Sequence, residues 1–302
     1  MKKNSTVKLL GLLGALVVIY LIATFTGNSG RSKSFRDVLV EIDTAKVTKV
    51  QITSAGNTIS LQKLGADQWQ VKSGELEKKA VTTVVKNFFQ TLRGAKPSRL
   101  VARSSDNWKD YSVDSTGTRV EIFEGANKSL DLVVGRFGVE GQQKFHTYVR
   151  LFEEKDVYLS EDFMGISLPK ESEGFRNADV LRLRRDSLTQ VSFNYPDSAF
   201  SIYNSNGRWS STDFELDSAS VAKYLSGLSY VTSREFEEGP LLGSPVLNVT
   251  FGFTNQPEIQ ISAYIKNDGY IIQSSENEDE LFEETNVLDK VFKGPTAFQS
   301  GL

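Results

Sequence analysis

The sequence predicts an α+β fold: two repeated units of mostly antiparallel sheet, each with a packed helix, after one N-terminal transmembrane helix. Three features lead there. Residues Leu9 to Phe25 read LLGLLGALVVIYLIATF, an apolar run without a charge. Strand-like segments then cluster in groups instead of alternating singly with helices. The same order of strand, turn, strand, tryptophan and helix also occurs twice, offset by roughly 130–140 residues. That period is too long for a solenoid array and indicates domain duplication.

The apolar run sets the first boundaries. A spanning helix needs about 20 mostly apolar residues, and Val7 and Thr26 extend the run towards that length. It lacks the polar stripe of a helix packed on a soluble core. It also exceeds the roughly 7–15 apolar residues of a cleaved signal, and Ala23-Thr24-Phe25-Thr26-Gly27 is a poor cleavage site. We therefore read residues 1–8 as a cytoplasmic N-terminus, 9–26 as an uncleaved membrane anchor and 27–46 as juxtamembrane linker and lead-in. Lys2, Lys3 and Lys8 precede the run, and Arg31, Lys33 and Arg36 follow it, so the positive-inside count is nearly even. The short leading flank and the long folded remainder place the N-terminus inside. The expectation is a single-pass inner (cytoplasmic) membrane protein with a periplasmic C-terminal module.

Repeat one is expected over 47–165. Val47–Ile52 (VTKVQI) and Ile59-Ser60-Leu61 alternate apolar and polar residues as half-buried strands do, and Trp69 follows. Repeat two, expected over 188–293, matches with Leu188–Phe193 (LTQVSF), Phe200-Ser201-Ile202 and Trp209. Turn-forming residues separate the strands at 54–57 and 195–198. Helices come next. Leu76, Ala80, Val81, Val84, Val85, Phe88, Phe89 and Leu92 fall on one helical stripe. In the second copy Asp217 caps a stripe of Val221, Tyr224, Leu225 and Leu228. Further strands are expected at 120–122, 130–132, 148–150, 246–253, 259–265 and 270–272, with Asn267-Asp268-Gly269 as a hairpin turn. Residues 166–187 connect the repeats and 294–302 form a tail.

Composition narrows the chemistry. The 302 residues are 39% hydrophobic and 24% charged, the balance of a globular protein. There is no cysteine, which excludes disulfides, thiol nucleophiles, cysteine metal sites and a lipidated cysteine. His146 is the single histidine, and it reads as the start of a strand. No phosphate loop, dinucleotide fingerprint or hydrolase elbow occurs. The net charge of −3 disfavours a nucleic-acid partner. Glu276, Glu278, Asp279, Glu280, Glu283 and Glu284 lack calcium-loop spacing and read as a solvated loop and helix start. The prediction is therefore no catalytic residue, no metal and no cofactor. Trp69 and Trp209 read as repeated core residues, with Trp108 the third tryptophan. The main basic cluster is Arg176, Arg182, Arg184 and Arg185. Leu181 and Leu183 alternate with two of these arginines, so one face of the segment is basic and is the candidate interaction surface.

Several segments resemble the family called domain of unknown function 4340. They are Phe35-Arg36-Asp37 with Val40–Val50, Gln68-Trp69-Gln70-Val71 with the Ala80–Leu92 helix, Trp108-Lys109-Asp110-Tyr111-Ser112-Val113, and Phe175-Arg176-Asn177-Ala178-Asp179-Val180-Leu181. The resemblance covers most of 35–292 and is weaker in the second copy. It implies a bacterial envelope protein with an N-terminal anchor, no defined catalytic residues, and some members similar to or encoded near auxiliary parts of gliding-type ABC transport systems. The functional expectation is a non-catalytic, membrane-anchored interaction module with an envelope protein partner, as an accessory of such a system. Two alternatives stand beside it: a binding module for an envelope glycan, peptide or lipid, and a carboxylate-dependent hydrolase.

Overall fold

The computed structural model describes residues 36–141, 144–267, 269–283 and 285–299. The expected cytoplasmic N-terminus, the anchor at 9–26, the first part of the linker and the end of the tail lie outside them. Among the described residues no helix is long and apolar enough to cross a membrane.

The first elements of the described residues are four strands, β1 (Val47–Ser54), β2 (Asn57–Lys63), β3 (Trp69–Ser73) and β4 (Leu76–Ala80), then helix α1 (Thr82–Arg93). Next come β5 (Arg99–Ala102), β6 (Thr118–Glu124), β7 (Asn127–Glu140), β8 (Lys144–Leu151) and β9 (Val157–Glu161). After them run β10 (Asp179–Leu181), β11 (Leu188–Asn194), β12 (Ala199–Ser205), β13 (Arg208–Ser211) and helix α2 (Ser218–Gly227). The chain continues with β14 (Val231–Thr232), β15 (Phe236–Glu237), β16 (Leu247–Phe253), β17 (Gln256–Lys266), β18 (Gly269–Ser274), β19 (Asn277–Glu283) and helix α3 (Thr285–Val291). Antiparallel sheet dominates, so the class is α+β.

Two compact units result. Among the described residues, one joins 36–47 with Phe89–Leu168; the other joins Thr48–Phe88 with 169–299. In the first unit β6 to β9 form a meander and β5 closes against β9. Val113, Val133 and Val157 are buried together there. The second unit holds the β1–β4 meander and an eight-stranded sheet in the order β13-β12-β11-β16-β17-β18-β19-β15. One apolar cluster there includes Val191, Phe193, Ile202, Val249, Phe251 and Ile261 from the eight-stranded sheet together with Val221 and Leu225 of α2. Burying each such side chain contributes about 1.5–3 kcal/mol.

The registers repeat as closely as the sequence does. Val50 pairs with Leu61 and Ile52 with Ile59; Val191 pairs with Ile202 and Phe193 with Phe200. Trp69 stands opposite Lys63, and Trp209 stands opposite Asn204, the same rung of each meander. The later strands match too: β16 to β19 run as a meander and β15 closes against β19, as β5 does against β9. On the helices, Val85, Phe88, Phe89 and Leu92 are buried in α1, and Val221, Tyr224, Leu225 and Leu228 sit at the same spacing in α2 and just beyond it.

Two expectations are corrected. Residues 76–80 form a strand and not the start of a helix. The spacing of Leu76 and Ala80 fits one helical turn and also two strand periods. Gly74, at φ +58°, takes a left-handed conformation that glycine adopts at no steric cost and turns the chain back, so that Ala80 pairs with Trp69. Helix α1 begins only at Thr82. Glu278, Asp279, Glu280 and Glu283 of the acidic stretch likewise lie in a strand, β19, and Glu280 within it is 2% exposed. An acidic composition suggests solvation, but alternation in a paired strand turns one carboxylate inward.

Candidate interaction surface

The segment that carries the candidate arginines lies in the second unit. Phe175 starts it, fully buried, with its ring edge against Phe88 at 5.8 Å and its carbonyl accepting from the Val81 N–H at 2.7 Å. Asn177 Oδ1 accepts from the Asp179 N–H, the local bond that favours asparagine in turns. The Asn277 side chain donates to the carbonyls of Asn177 and Asp179, both at 2.9 Å. These bonds hold the backbone where the arginines emerge.

Arg176 points inward. It is 3% exposed and forms a two-pronged pair with Glu280, with Nε donating to Oε1 at 3.0 Å. It also pairs with Glu238 and lies over the Phe236 ring at 3.9 Å. Lys78 Nζ lies 3.5 Å from Glu280 and 3.7 Å from Glu238. Burial acts to lower the Arg176 pKa, but hydrogen bonds to Glu280 and Glu238 outweigh it and the net shift is upward. Arg176 is thus an internal anchor.

The other three arginines face out. Leu181 and Leu183 are buried, while Arg182, Arg184 and Arg185 are exposed. The alternation expected from the sequence holds, although the strand itself ends at Leu181. Arg182 Nε donates to Asp179 Oδ2 at 2.7 Å, which raises its pKa, and its guanidinium lies 4.9 Å from the Tyr230 ring. Arg184 donates to Gln256 Oε1 at 3.2 Å. Arg185 has no side-chain hydrogen bond or ion pair among the described residues.

A cleft of about 320 Å³ adjoins the segment, lined by Lys79, Thr82, Asn177, Asp179, Asp279 and Glu280 among others. The sequence did not point to Glu238, Glu280 or Lys78. Glu280 is separated from Arg176 by 104 positions, and nothing local distinguishes it from its acidic neighbours.

The remaining singled-out residues are structural in their contacts. Trp69 is 5% exposed and Trp209 is half-buried. Trp108 receives the Arg150 guanidinium at 3.7 Å and donates from Nε1 to the Lys155 carbonyl at 3.1 Å. His146 is half-buried in β8, edge-on to Tyr148 at 5.3 Å. Among the described residues no group of three or more histidines, cysteines or carboxylates is arranged to hold a metal.

No curated protein and no solved structure matches the chain. A family model described as "Domain of unknown function (DUF4340)" matches residues 82–245, which is more than half of the 302 residues and includes both the Trp108–Val113 and the Phe175–Leu181 segments. The chain belongs to the DUF4340 family.

Proposed function

We propose that the protein is a membrane-anchored extracytoplasmic module that works by contact and not by turnover. Residues 9–26 hold it to the inner membrane. Two duplicated α+β repeats then present Arg182, Arg184 and Arg185 to an acidic envelope protein. The observation that carries this reading is the uneven use of the arginines. The segment is fixed by buried leucines, yet Arg184 and Arg185 have no carboxylate partner among the described residues. Exposed arginine forks on a rigid segment suit carboxylate recognition, because two parallel hydrogen bonds then form with little ordering cost. The family resemblance directs the search to accessory subunits of ABC-type transport systems.

The test is recovery of partners with the full-length protein from its native membrane, after mild cross-linking. Arg182→Gln/Arg184→Gln/Arg185→Gln should lose most of the specific partner, and His146→Gln should keep it. Loss of the cellular phenotype with His146→Gln, together with a wild-type arginine variant, would overturn the proposal.

A second reading, a carboxylate-dependent hydrolase, has one observation in its favour: the cleft of about 320 Å³ gathers Asp179, Asp279 and Glu280. Two of these are already engaged, Asp179 by Arg182 and Glu280 by Arg176. Asp279 lies 4.0 Å from Lys79. If this reading holds, Asp279→Asn abolishes the cellular function without altering partner recovery.

A further inference from the structure

We propose that a second cleft, in the unit from Thr48–Phe88 and Pro169 onward, binds a phosphorylated polyol, independently of the arginine surface. The cleft measures about 360 Å³ and opens between α2, the end of α3 and the 3-10 turn Pro295–Phe298. Small-molecule sites typically enclose about 300–1,000 Å³. Ser220, Lys223, Tyr224 and Gly227 recur at helical spacing, so a single face of α2 forms one wall. Asp289, Lys290 and Lys293 contribute the rest of the rim.

The floor is rigid and aromatic. Tyr224 and Phe298 meet edge to face with centroids 5.1 Å apart, and Phe298 is fully buried. The Tyr224 hydroxyl donates to the Val291 carbonyl at 2.8 Å, and the Tyr195 hydroxyl donates to the Lys293 carbonyl at 3.1 Å. The Val291 carbonyl ends α3, where unpaired oxygens would repel an anion, and the Tyr224 hydroxyl occupies it; Lys293 lies two residues further on.

The rim is cationic. Lys46, Lys72, Lys86 and Lys128 each pair with a carboxylate. Lys223, Lys290 and Lys293 have no ion pair or side-chain hydrogen bond among the described residues, although the whole chain carries −3. Three lysines lining one cleft match a phosphate, which accepts several charge-assisted hydrogen bonds at once. Asp289 has no partner among the described residues either. Its carboxylate repels a bare anion but accepts hydrogen bonds from hydroxyls, so the ligand must be anionic at one end and hydroxylated at the other. The accessible edge of Tyr224 and the exposed Ala297 offer apolar surface to the carbon skeleton of such a molecule. A free polyol phosphate and a phosphatidylglycerol-type headgroup share this chemistry.

The experiment is titration calorimetry on the full-length protein in a non-ionic detergent at low salt. Probes are glycerol 3-phosphate, inorganic phosphate, glycerol, and dihexanoylphosphatidylglycerol below its micellar concentration. Saturable binding of at least one ester, tighter than inorganic phosphate, and none of glycerol, is expected. Lys223→Gln/Lys290→Gln/Lys293→Gln should weaken it by about tenfold or more. Gly227→Phe should weaken it similarly with all three lysines present, because a side chain there enters open space. Asp289→Asn should bring ester and inorganic phosphate to within about twofold of each other. Tighter binding of the soluble ester supports a free metabolite, and tighter binding of the short lipid supports a headgroup. Absence of saturable ester binding, equal affinity for inorganic phosphate and the esters, or wild-type affinity in both the lysine triple variant and Gly227→Phe overturns the proposal.

Discussion

Each compact unit buries an arginine, and the two are stabilised by opposite means. Arg150, in the first unit, is 3% exposed and donates only to backbone carbonyls: Nε to Val113 at 3.0 Å, and Nη1 to Leu151, Phe152 and Glu154 at 3.3, 2.7 and 3.1 Å. Trp108 covers its face. Burial lowers its pKa. Arg176, in the second unit, is equally buried but is met by two carboxylates, and its pKa is raised despite burial. One guanidinium is solvated by peptide dipoles and ties a loop together; the other is half of a salt-bridge cluster. The Trp108–Val113 segment serves the first, since Val113 supplies an acceptor and Trp108 a stacking face. The Phe175–Leu181 segment serves the second. A motif rich in charge and aromatics therefore marks a fold-holding device in each unit.

The difference predicts unequal costs of removal. Arg176→Met leaves Glu280 buried with only Lys78 nearby, and losing one partner of a buried pair costs about 3–5 kcal/mol. Arg176→Met/Glu280→Leu should recover most of that loss, because an apolar pair of similar volume needs no desolvation of charge. Urea unfolding checks both. A single variant close to wild type would show that the cluster is not a true buried pair.

Arg150→Met should cost less, about 1.5–3 kcal/mol, the range for hydrogen bonds that involve a charged group. No opposing charge is stranded, and the Phe152–Glu154 turn is only partly buried. Arg150→Lys should rescue little, because one ammonium cannot reproduce a planar fork that spans several carbonyls. Full rescue by lysine would show that charge, and not geometry, is what the loop needs.

These contacts show where sequence reading reached and where it stopped. The strand pairs around Val50 and Val191, and the helix faces around Val85 and Val221, were legible because periodicity reports burial directly. The matching rungs of Trp69 and Trp209 followed from their spacing. The Leu76–Ala80 strand was not legible, since its apolar spacing satisfies both periods. Arg176 was visible as part of a basic cluster, but its inward direction was not, because Glu238 and Glu280 come from distant strands. The alternation at Leu181–Arg184 did identify the outward arginines.

Acid separates the two regions further. Asp131 in the first unit is held by Arg119, with Nε and Nη2 donating at 2.8 and 2.7 Å, and by Lys128 at 2.6 Å. Burial acts to raise its pKa, yet hydrogen bonds from Arg119 and Lys128 outweigh this and hold it below the ordinary carboxylate value. A carboxylate depressed on folding contributes stability that is present above the unfolded pKa of about 3.9 and is lost as pH falls through the lower folded value. The stability gap between wild type and Asp131→Asn should therefore narrow as pH drops from about 5 towards 2. A gap independent of pH over that window would exclude Asp131 as the source.

The smallest effect should come from the arginines that face solvent. The Arg182 side chain has one carboxylate partner among the described residues, Asp179, and is 63% exposed; its backbone N–H donates to Glu276. Exposed pairs of this kind contribute about 0–1 kcal/mol. The Arg184 side chain donates to Gln256, and Arg185 has no side-chain hydrogen bond or ion pair among the described residues. The buried leucines between them, not the guanidinium groups, fix the segment. Arg182→Gln/Arg184→Gln/Arg185→Gln should thus shift stability by less than about 1 kcal/mol, several-fold below Arg176→Met. Paired unfolding curves, taken in low and in moderate salt, decide the matter. A larger loss that shrinks with salt would mean that these arginines hold the fold electrostatically, as Arg176 does. A loss near zero with partner recovery abolished would place their contribution outside the chain, in a complex.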